Sequence, residues 1–525
     1  MARYFNVGGP CNAADNYMLP AAERLPEVMS LIHKKQYFVV HAQRQCGKTT
    51  AFQSLADEIN AKGEMAALYL TVEEVQPFTD PQDGIPGIAN QLRSAADVYS
   101  SLFGGVTKPE MILATENEDV TTKVRATLHY LATKCAKPLA VFIDEVDCLS
   151  EGTLIAFLRQ LRSGKITYNN RPGQFPISIA LIGMRNIRDY KMRIRPEGLS
   201  TGEASPFNVI TEAMTLNLFT EAEMRTLYRQ HTDETGQVFE EAALKKAWYY
   251  SHGQPYLVNA LARWCVEKIH HEDFSQPITL DDMKTAKEEI VRERGTHLDS
   301  LLEKLKDPRV RRVVEPVLLG ERLTMDRLED DYRYTLDLGL LRELPSGDVV
   351  PANPMYADVI GRFLTWPTQF NLRTQIRETP WATETGLDMA GLMAAFQDFW
   401  RKNCASCTQV YEYHEATPHL VLMAFLQRVT NGSGRIDREM ALGKEALDLG
   451  VEFLDHTYAV EVKMLGNYDK SHVGAYRQLA SYMDSLGEKE GWLVVFDPDM
   501  SKPWDEKISS EDVDHEGKTI HVIRC

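Results

Sequence analysis

The sequence predicts an α/β protein built on a parallel sheet. Three observations lead there. From Tyr37 to about Leu218, short and nearly continuous apolar runs alternate with stretches of helical spacing. The first run, Tyr37-Phe38-Val39-Val40, leads into HAQRQCGKTT (His41–Thr50) and then into AFQSLADEI, which has helical spacing. The third run, LAVFID (Leu139–Asp144), ends on two adjacent carboxylates, Asp144 and Glu145. Apolar runs without polar alternation, separated by helices, mark strands buried on both faces.

Composition sets limits first. A chain of 525 residues predicts about three to four domains. The 44% hydrophobic and 25% charged content is that of a soluble globular protein. No run of 18 or more apolar residues occurs, so no membrane span is expected. The first residues, MARYFNVGGPCNAADNYM, lack the basic-then-apolar order of a signal peptide. Eight scattered cysteines suit a reducing compartment, and the expected location is the cytoplasm. Cys404 and Cys407 form one CxxC with no second pair, so a structural role is expected in place of zinc. Net charge is −17, which argues against a tight non-specific nucleic-acid binder. It does not argue against a nuclease, whose metal site needs carboxylates.

Residues 1–36 read as a lead-in, with Pro20 and Ala21 opening the helix AAERLPEVMSLIHKK. The expected strands are YFVVHA, MAALYLTV (Met65–Val72), LAVFID, ISIALIG (Ile177–Gly183) and TLNL (Thr215–Leu218). Strand, tight loop and helix around Gly47-Lys48-Thr49 are the context of a phosphate-binding loop. The N–H groups of Gln45, Cys46, Gly47, Lys48, Thr49 and Thr50 are expected to face phosphates. Lys48 is placed for the β- and γ-phosphates and the Thr49 hydroxyl for Mg²⁺. Ala42 stands where the usual pattern begins with Gly. Ligands bind beyond the C-terminal edge of such sheets, so Asp144 is expected in the Mg²⁺ shell and Glu145 on the attacking water. Met184-Arg185-Asn186 ends the fourth run, where Arg185 or Asn186 could sense the γ-phosphate. Arg188, Arg193 and Arg195 are arginine-finger candidates, and nothing in the sequence selects one.

The pieces RQCGKTT, VFIDEVD, IGMRN, SPFNV (Ser205–Val209) and HGQPYLVNAL (His252–Leu261) resemble, in this order, the AAA+/STAND class of P-loop ATPases. Within that class they resemble the bacterial "AAA-like" proteins, over about residues 5–365. Gly253 and Pro255 match the Gly-x-Pro element of STAND lids. The resemblance implies ATP as ligand, a helical lid, a winged-helix module and assembly into a homo-oligomer. The chain supports the lid independently, because Thr220 and Glu223 form a capping box before FTEAEMRTLYRQ. Further on, Pro345-Ser346-Gly347-Asp348 lies between two apolar runs, as a hairpin wing would. Such a module binds DNA or serves as an intramolecular brake, and both remain open. The basic stretch before it, Arg292 to Arg312, is interleaved with acids and reads as a solvated helix face. Thr365 to about Gly386, with Pro367 and Pro380, reads as a linker.

After the linker comes the helix PHLVLMAFLQRV, preceded by Glu415, and then three strand-like runs. Asp448 lies in ALDLGVEF, and Glu461 and Lys463 lie in YAVEVKM. Period two puts Glu461 and Lys463 on one face, and a turn near Asp455-His456 brings Asp448 close. Two carboxylates beside a lysine suit Mg²⁺ or Mn²⁺ at a phosphodiester. With Gln478 in YRQLASYMDSLG on the next helix, the order resembles the PD-(D/E)XK nuclease superfamily over about residues 404–500. The resemblance implies catalytic roles for Asp448, Glu461, Lys463 and Gln478, with Glu415 or Glu439 as an extra acid. Lys444-Glu445-Ala446 departs from the basic, Gly-rich segment common in relatives.

The expected layout is a P-loop ATPase domain (1–218), helical lid (219–300), winged-helix module (301–366), linker and helix (367–403) and nuclease-like domain (404–525). The expected activity is an ATPase controlling a metal-dependent nuclease on nucleic acid, with DNA favoured. A role in defence against foreign DNA is an analogy only. The alternative is a STAND-type nucleotide switch whose C-terminal domain binds nucleic acid or a partner protein without cutting.

Overall fold

The computed structural model describes residues 1–525 except 1–2, 170, 172, 184–209, 319–329, 373–380, 382, 384–385, 409–417, 419–420, 424, 427–433, 443–444, 454–455, 498 and 500–501. The chain divides into two compact units. The first is Met1–Glu293 with Leu336–Gly339, and the second is Arg294–Thr335 with Leu340–Cys525.

In the first unit, β1 (Tyr37–His41), β2 (Ala66–Thr71), β3 (Leu139–Asp144), β4 (Ser178–Gly183) and β5 (Glu212–Thr215) form one sheet in the order β2-β3-β4-β1-β5. Every pairing in it is parallel. Each of β1, β3 and β4 is buried along its whole length, which explains their unalternating apolar sequences. Side chains of even and odd positions go to opposite faces. Val39, Leu68, Val141 and Leu181 meet the helices Pro81–Val98, Lys123–Lys134 and Glu151–Tyr168. Phe38, Tyr69, Phe142 and Ile182 meet the helix Lys48–Lys62, which begins at the phosphate loop.

Two expectations need correction. The fifth strand is Glu212–Thr215, ending where the apolar run Thr215–Leu218 begins. It is an exposed edge strand and pairs with β1 alone, so it carries no apolar signature. Leu216 and Leu218 instead pack into the core just after it. The single helix expected after Pro20 is two, Ala21–Arg24 and Pro26–His33, because Pro26 lacks the N–H that would continue the first.

The sheet is followed by the helices Glu221–Thr235, Glu241–Ser251 and Pro255–Arg263. The capping box is present: Thr220 N and Oγ1 donate to Glu223 Oε2 at 2.7 and 2.9 Å, and Glu223 N donates to Thr220 Oγ1 at 3.2 Å. Gly253 has φ +76°, and a Cβ there would lie 1.9 Å from the carbonyl oxygen of Phe219. Only glycine fits that turn.

In the second unit, β6 (Leu341–Glu343) and β7 (Val349–Pro351) form an antiparallel hairpin. Its turn closes by Leu344 N donating to Asp348 O at 2.8 Å, with Gly347 at φ +87°. The helix Pro354–Leu372 then runs into what read as the start of the linker. Met355, Tyr356, Val359, Ile360 and Leu364 are its buried stripe, and the helix continues eight residues past the last of these. The strands β8 (Gly434–Leu442), β9 (Glu445–Phe453), β10 (His456–Met464), β11 (Glu490–Phe496), β12 (Ser509–His515) and β13 (Lys518–Arg524) form a mixed sheet in the order β12-β13-β11-β10-β9-β8. The helix His472–Leu486 packs its Leu479, Tyr482 and Met483 against Ala459, Leu493 and Val522 of this sheet.

Candidate functional site

The phosphate loop is built by two left-handed residues. Gln45 has φ +55° and Gly47 φ +84°, and they turn the chain from the end of β1 into the helix that starts at Lys48. That helix has no acid in its first turn, so its positive N-terminal end is left for an anion. Ala42, in place of the customary glycine, is buried and donates its N–H to Gly183 O at 3.1 Å. Lys48 is 6% exposed, and its ammonium donates to the carbonyls of Ala42 at 2.8 Å and Gln43 at 3.0 Å. The lysine therefore lies folded along the loop that it would serve.

Asp144 closes β3 and is 1% exposed. Its Oδ2 accepts from Thr49 Oγ1 at 2.7 Å and from Tyr69 Oη at 2.8 Å, and its Oδ1 accepts from Glu145 N at 2.9 Å. Glu145 itself is left-handed at φ +58°, an uncommon state for a non-glycine residue and one that gathers at functional sites. Burial raises the Glu145 carboxyl above the usual carboxylate range; the Asp144, Asp147 and Glu73 charges add to this, and Lys48 opposes it.

A cavity of about 430 Å³ lies over the loop, lined by Lys48, Thr49 and Glu145 and by Glu73. Its other walls come from Asn6–Cys11 and from Pro255, Tyr256 and Asn259. The lead-in is thus a wall of the site, a role its sequence did not announce except through Gly8-Gly9-Pro10. This strap is held to the helix Glu221–Thr235. Arg3 N and Nε donate to Glu234 at 2.9 and 3.0 Å, and Gln230 Nε2 donates to Met18 O at 2.7 Å. Tyr17 Oη lies 3.2 Å from His231 Nδ1. Cys11 N donates to Thr50 Oγ1 at 3.0 Å, joining the strap to the phosphate loop. Gln254 joins the last side: Oε1 accepts from Leu257 N at 2.8 Å, and Nε2 donates to Gln45 O at 3.3 Å. Sequence reasoning missed Tyr69, Gln254 and the strap. Arg185, Asn186, the candidate fingers Arg188, Arg193 and Arg195, and Ser205–Val209 lie outside the described residues.

In the second unit, Glu461 is fully buried, and Lys463 donates to its Oε1 at 2.5 Å. Both share the face of β10 that carries Ala459, under the helix His472–Leu486. Gln478 on that helix donates to Tyr482 Oη at 3.0 Å. The antiparallel register of β9 and β10 runs from His456 with Phe453 to Val460 with Leu449, and Asp448 lies on β9 next to Leu449. Glu439 is on β8, and Glu415 lies outside the described residues. Among the described residues, no cluster of three or more His, Cys, Asp or Glu side chains could hold a metal ion, and no helix is long and apolar enough to cross a membrane.

A family model described as an AAA domain matches residues 32–190. No curated protein matches the chain in sequence. Among solved structures, the chain is similar to the Walker-type ATPase paby2304 of Pyrococcus abyssi at 13% identity and TM-score 0.46, over 68% of this chain and 99% of that one. It is similar to the ORC2 protein of Aeropyrum pernix at 13% and 0.39, over 69% and 96%. It is also similar to the RuvB protein of Thermotoga maritima at 14% and 0.33, over 65% and 93%. The family model and the loop geometry agree on an AAA-type P-loop domain within the first unit.

Proposed function

We propose that the first unit binds ATP with Mg²⁺ and hydrolyses it, and that this reaction controls a nuclease in the second unit. The observation that carries the first half is the buried Asp144 carboxylate bonded at 2.7 Å to the Thr49 hydroxyl of the phosphate loop. Thr49 and Asp144 offer the hard oxygen donors that Mg²⁺ takes. When bound, the ion neutralises charge on the β- and γ-phosphates. Lys48 leaves the Ala42 and Gln43 carbonyls for phosphate oxygens, and the loop N–H groups bind the rest. Glu145 orients water and takes its proton as the water oxygen bonds to the γ-phosphorus. The bond from that phosphorus to the β–γ bridging oxygen breaks, and ADP leaves with the bridging oxygen. A carboxyl raised by burial is suited to this base role.

For the second unit, Asp448 and Glu461 would hold Mg²⁺ or Mn²⁺, with Glu415 or Glu439 adding a ligand. Lys463 would offset charge on the phosphodiester, and Gln478 would help to place it. The hairpin Leu341–Pro351 supports a winged-helix module, and DNA is the nucleic acid we favour. Assembly into a homo-oligomer and a cytoplasmic location belong to the same reading. Phosphate release by the wild type and by Glu145→Gln tests the ATPase. The variant is expected to lose on the order of 100-fold, and equal rates would remove Glu145 from the reaction.

A further inference from the structure

Tyr69 lies on β2, in register with Phe142 on β3, two residues before the pair Thr71 and Asp144. Its ring is packed between the sheet and the phosphate-loop helix, with 8% exposure. An aromatic residue at such a place is ordinarily core and nothing more. Here its hydroxyl reaches across to the end of the next strand and donates to Asp144 Oδ2 at 2.8 Å.

The lone pairs decide what this does. A carboxylate oxygen accepts two hydrogen bonds in its plane, and on Oδ2 both positions are taken, one by Tyr69 and one by Thr49. Oδ1 takes the N–H of Glu145. The carboxylate therefore cannot swing without leaving a buried charge short of a donor. Thr49 has one hydroxyl proton, and Asp144 receives it, so the lone pairs of Thr49 Oγ1 stay available to a cation.

We propose that Tyr69 is a positioning residue of the cation–nucleotide site. It fixes the rotation of Asp144, and so the direction in which Thr49 gives its proton and presents its lone pairs. The inference rests on the ATP reading above and adds to it the residue that tunes its cation dependence. Partners that orient metal-binding carboxylates typically alter affinity by about 10- to 100-fold when removed.

The test is calorimetric titration of the full chain with ADP, in Mg²⁺ and separately in EDTA, for wild type and Tyr69→Phe. The variant keeps the ring and removes only the donor. The wild type is expected to bind more tightly with Mg²⁺ than without. Tyr69→Phe is expected to match the wild type in EDTA and to fall by about tenfold in Mg²⁺. Should Tyr69→Phe prove unstable, Tyr69→Met, which also fills the space without a donor, is expected to give the same change in ratio. Equal losses in both buffers would mean that Tyr69 only supports the fold, and wild-type affinity in both buffers would mean that Thr49 and the Glu145 N–H hold Asp144 without it; either overturns the inference. A wild type that binds no ADP in either buffer overturns the ATP reading and this inference together.

Discussion

Gln254 touches the phosphate loop: its Nε2 donates to the carbonyl oxygen of Gln45 at 3.3 Å, while its Oε1 caps the helix that begins at Pro255. One buried amide therefore serves two segments. Substitution separates the two roles. Gln254→Glu keeps the oxygen that caps Leu257 and replaces the donor by an acceptor facing the Gln45 carbonyl. Gln254→Ala loses both. Gln254→Ala is expected to cost about 1 kcal/mol of stability through the lost cap. Both variants are expected to bind ADP several-fold more weakly, and chemical denaturation alongside ADP titration checks this. Normal binding by Gln254→Glu would show that the contact with Gln45 is incidental.

Gly253→Ala is expected to destabilise the first unit by at least about 3 kcal/mol. Positive φ costs an alanine part of that, and the rest comes from a methyl group 1.9 Å from the Phe219 carbonyl oxygen, which itself cannot move freely because Phe219 N donates to Gly253 O at 2.8 Å. A melting temperature within a degree of wild type would contradict this.

His231 predicts a pH dependence. It is 1% exposed and lies against Tyr17 Oη and Gln237 Oε1 at 3.2 and 3.0 Å. Burial lowers its pKa below the ordinary 6.5, although Gln237 and Glu234 pull the other way. The unfolded chain therefore takes up the proton first as pH falls. Stability from this site is complete above about pH 6.5 and is lost as pH drops from there towards the lowered folded value. Thermal melts from pH 7.5 to 5 should show a steeper fall for wild type than for His231→Gln, and parallel curves would rule the site out as a source.

Lys463→Ala is expected to reduce divalent-dependent cleavage of DNA by at least about 100-fold, with binding to the same DNA retained. Incubation with single- and double-stranded DNA and RNA, with Mg²⁺ or Mn²⁺ and with or without ATP, checks it. Identical behaviour of wild type and variant on every substrate would leave the non-cutting switch as the better reading.

Much of the first unit could be read from sequence because β1, β3 and β4 are buried on both faces, and full burial writes itself as an unbroken apolar run. Lys48, Thr49 and Asp144 could be singled out for a different reason, a few residue types at fixed spacing, and the structure joins Thr49 to Asp144 and folds Lys48 along the same loop. β5 was misplaced because an edge strand exposed along its length need not be apolar. Tyr69 was invisible since a tyrosine in an apolar run looks like core, and only the neighbouring strand reveals what its hydroxyl meets. The strap could not be placed because its partners, Gln230, His231 and Glu234, are more than 200 residues away along the chain. In the second unit the alternation of β10 gave Glu461 and Lys463 a common face, and the turn expected near Asp455-His456 marked β9 and β10 as antiparallel neighbours, but the residue-by-residue register, Val460 with Leu449, is set by the strand pairing itself.

The attachment of Arg3, Tyr17 and Met18 to the helix Glu221–Thr235 has a practical consequence for engineering. Residues 3–18 and that helix make one mechanical part divided by two hundred residues of chain. A chimera that exchanges the sheet for a homologous one must carry both ends from the same parent, since mixing them would sever the Glu234, His231 and Gln230 bonds at once. Transplanting the strap alone would swap a roof without its hinge.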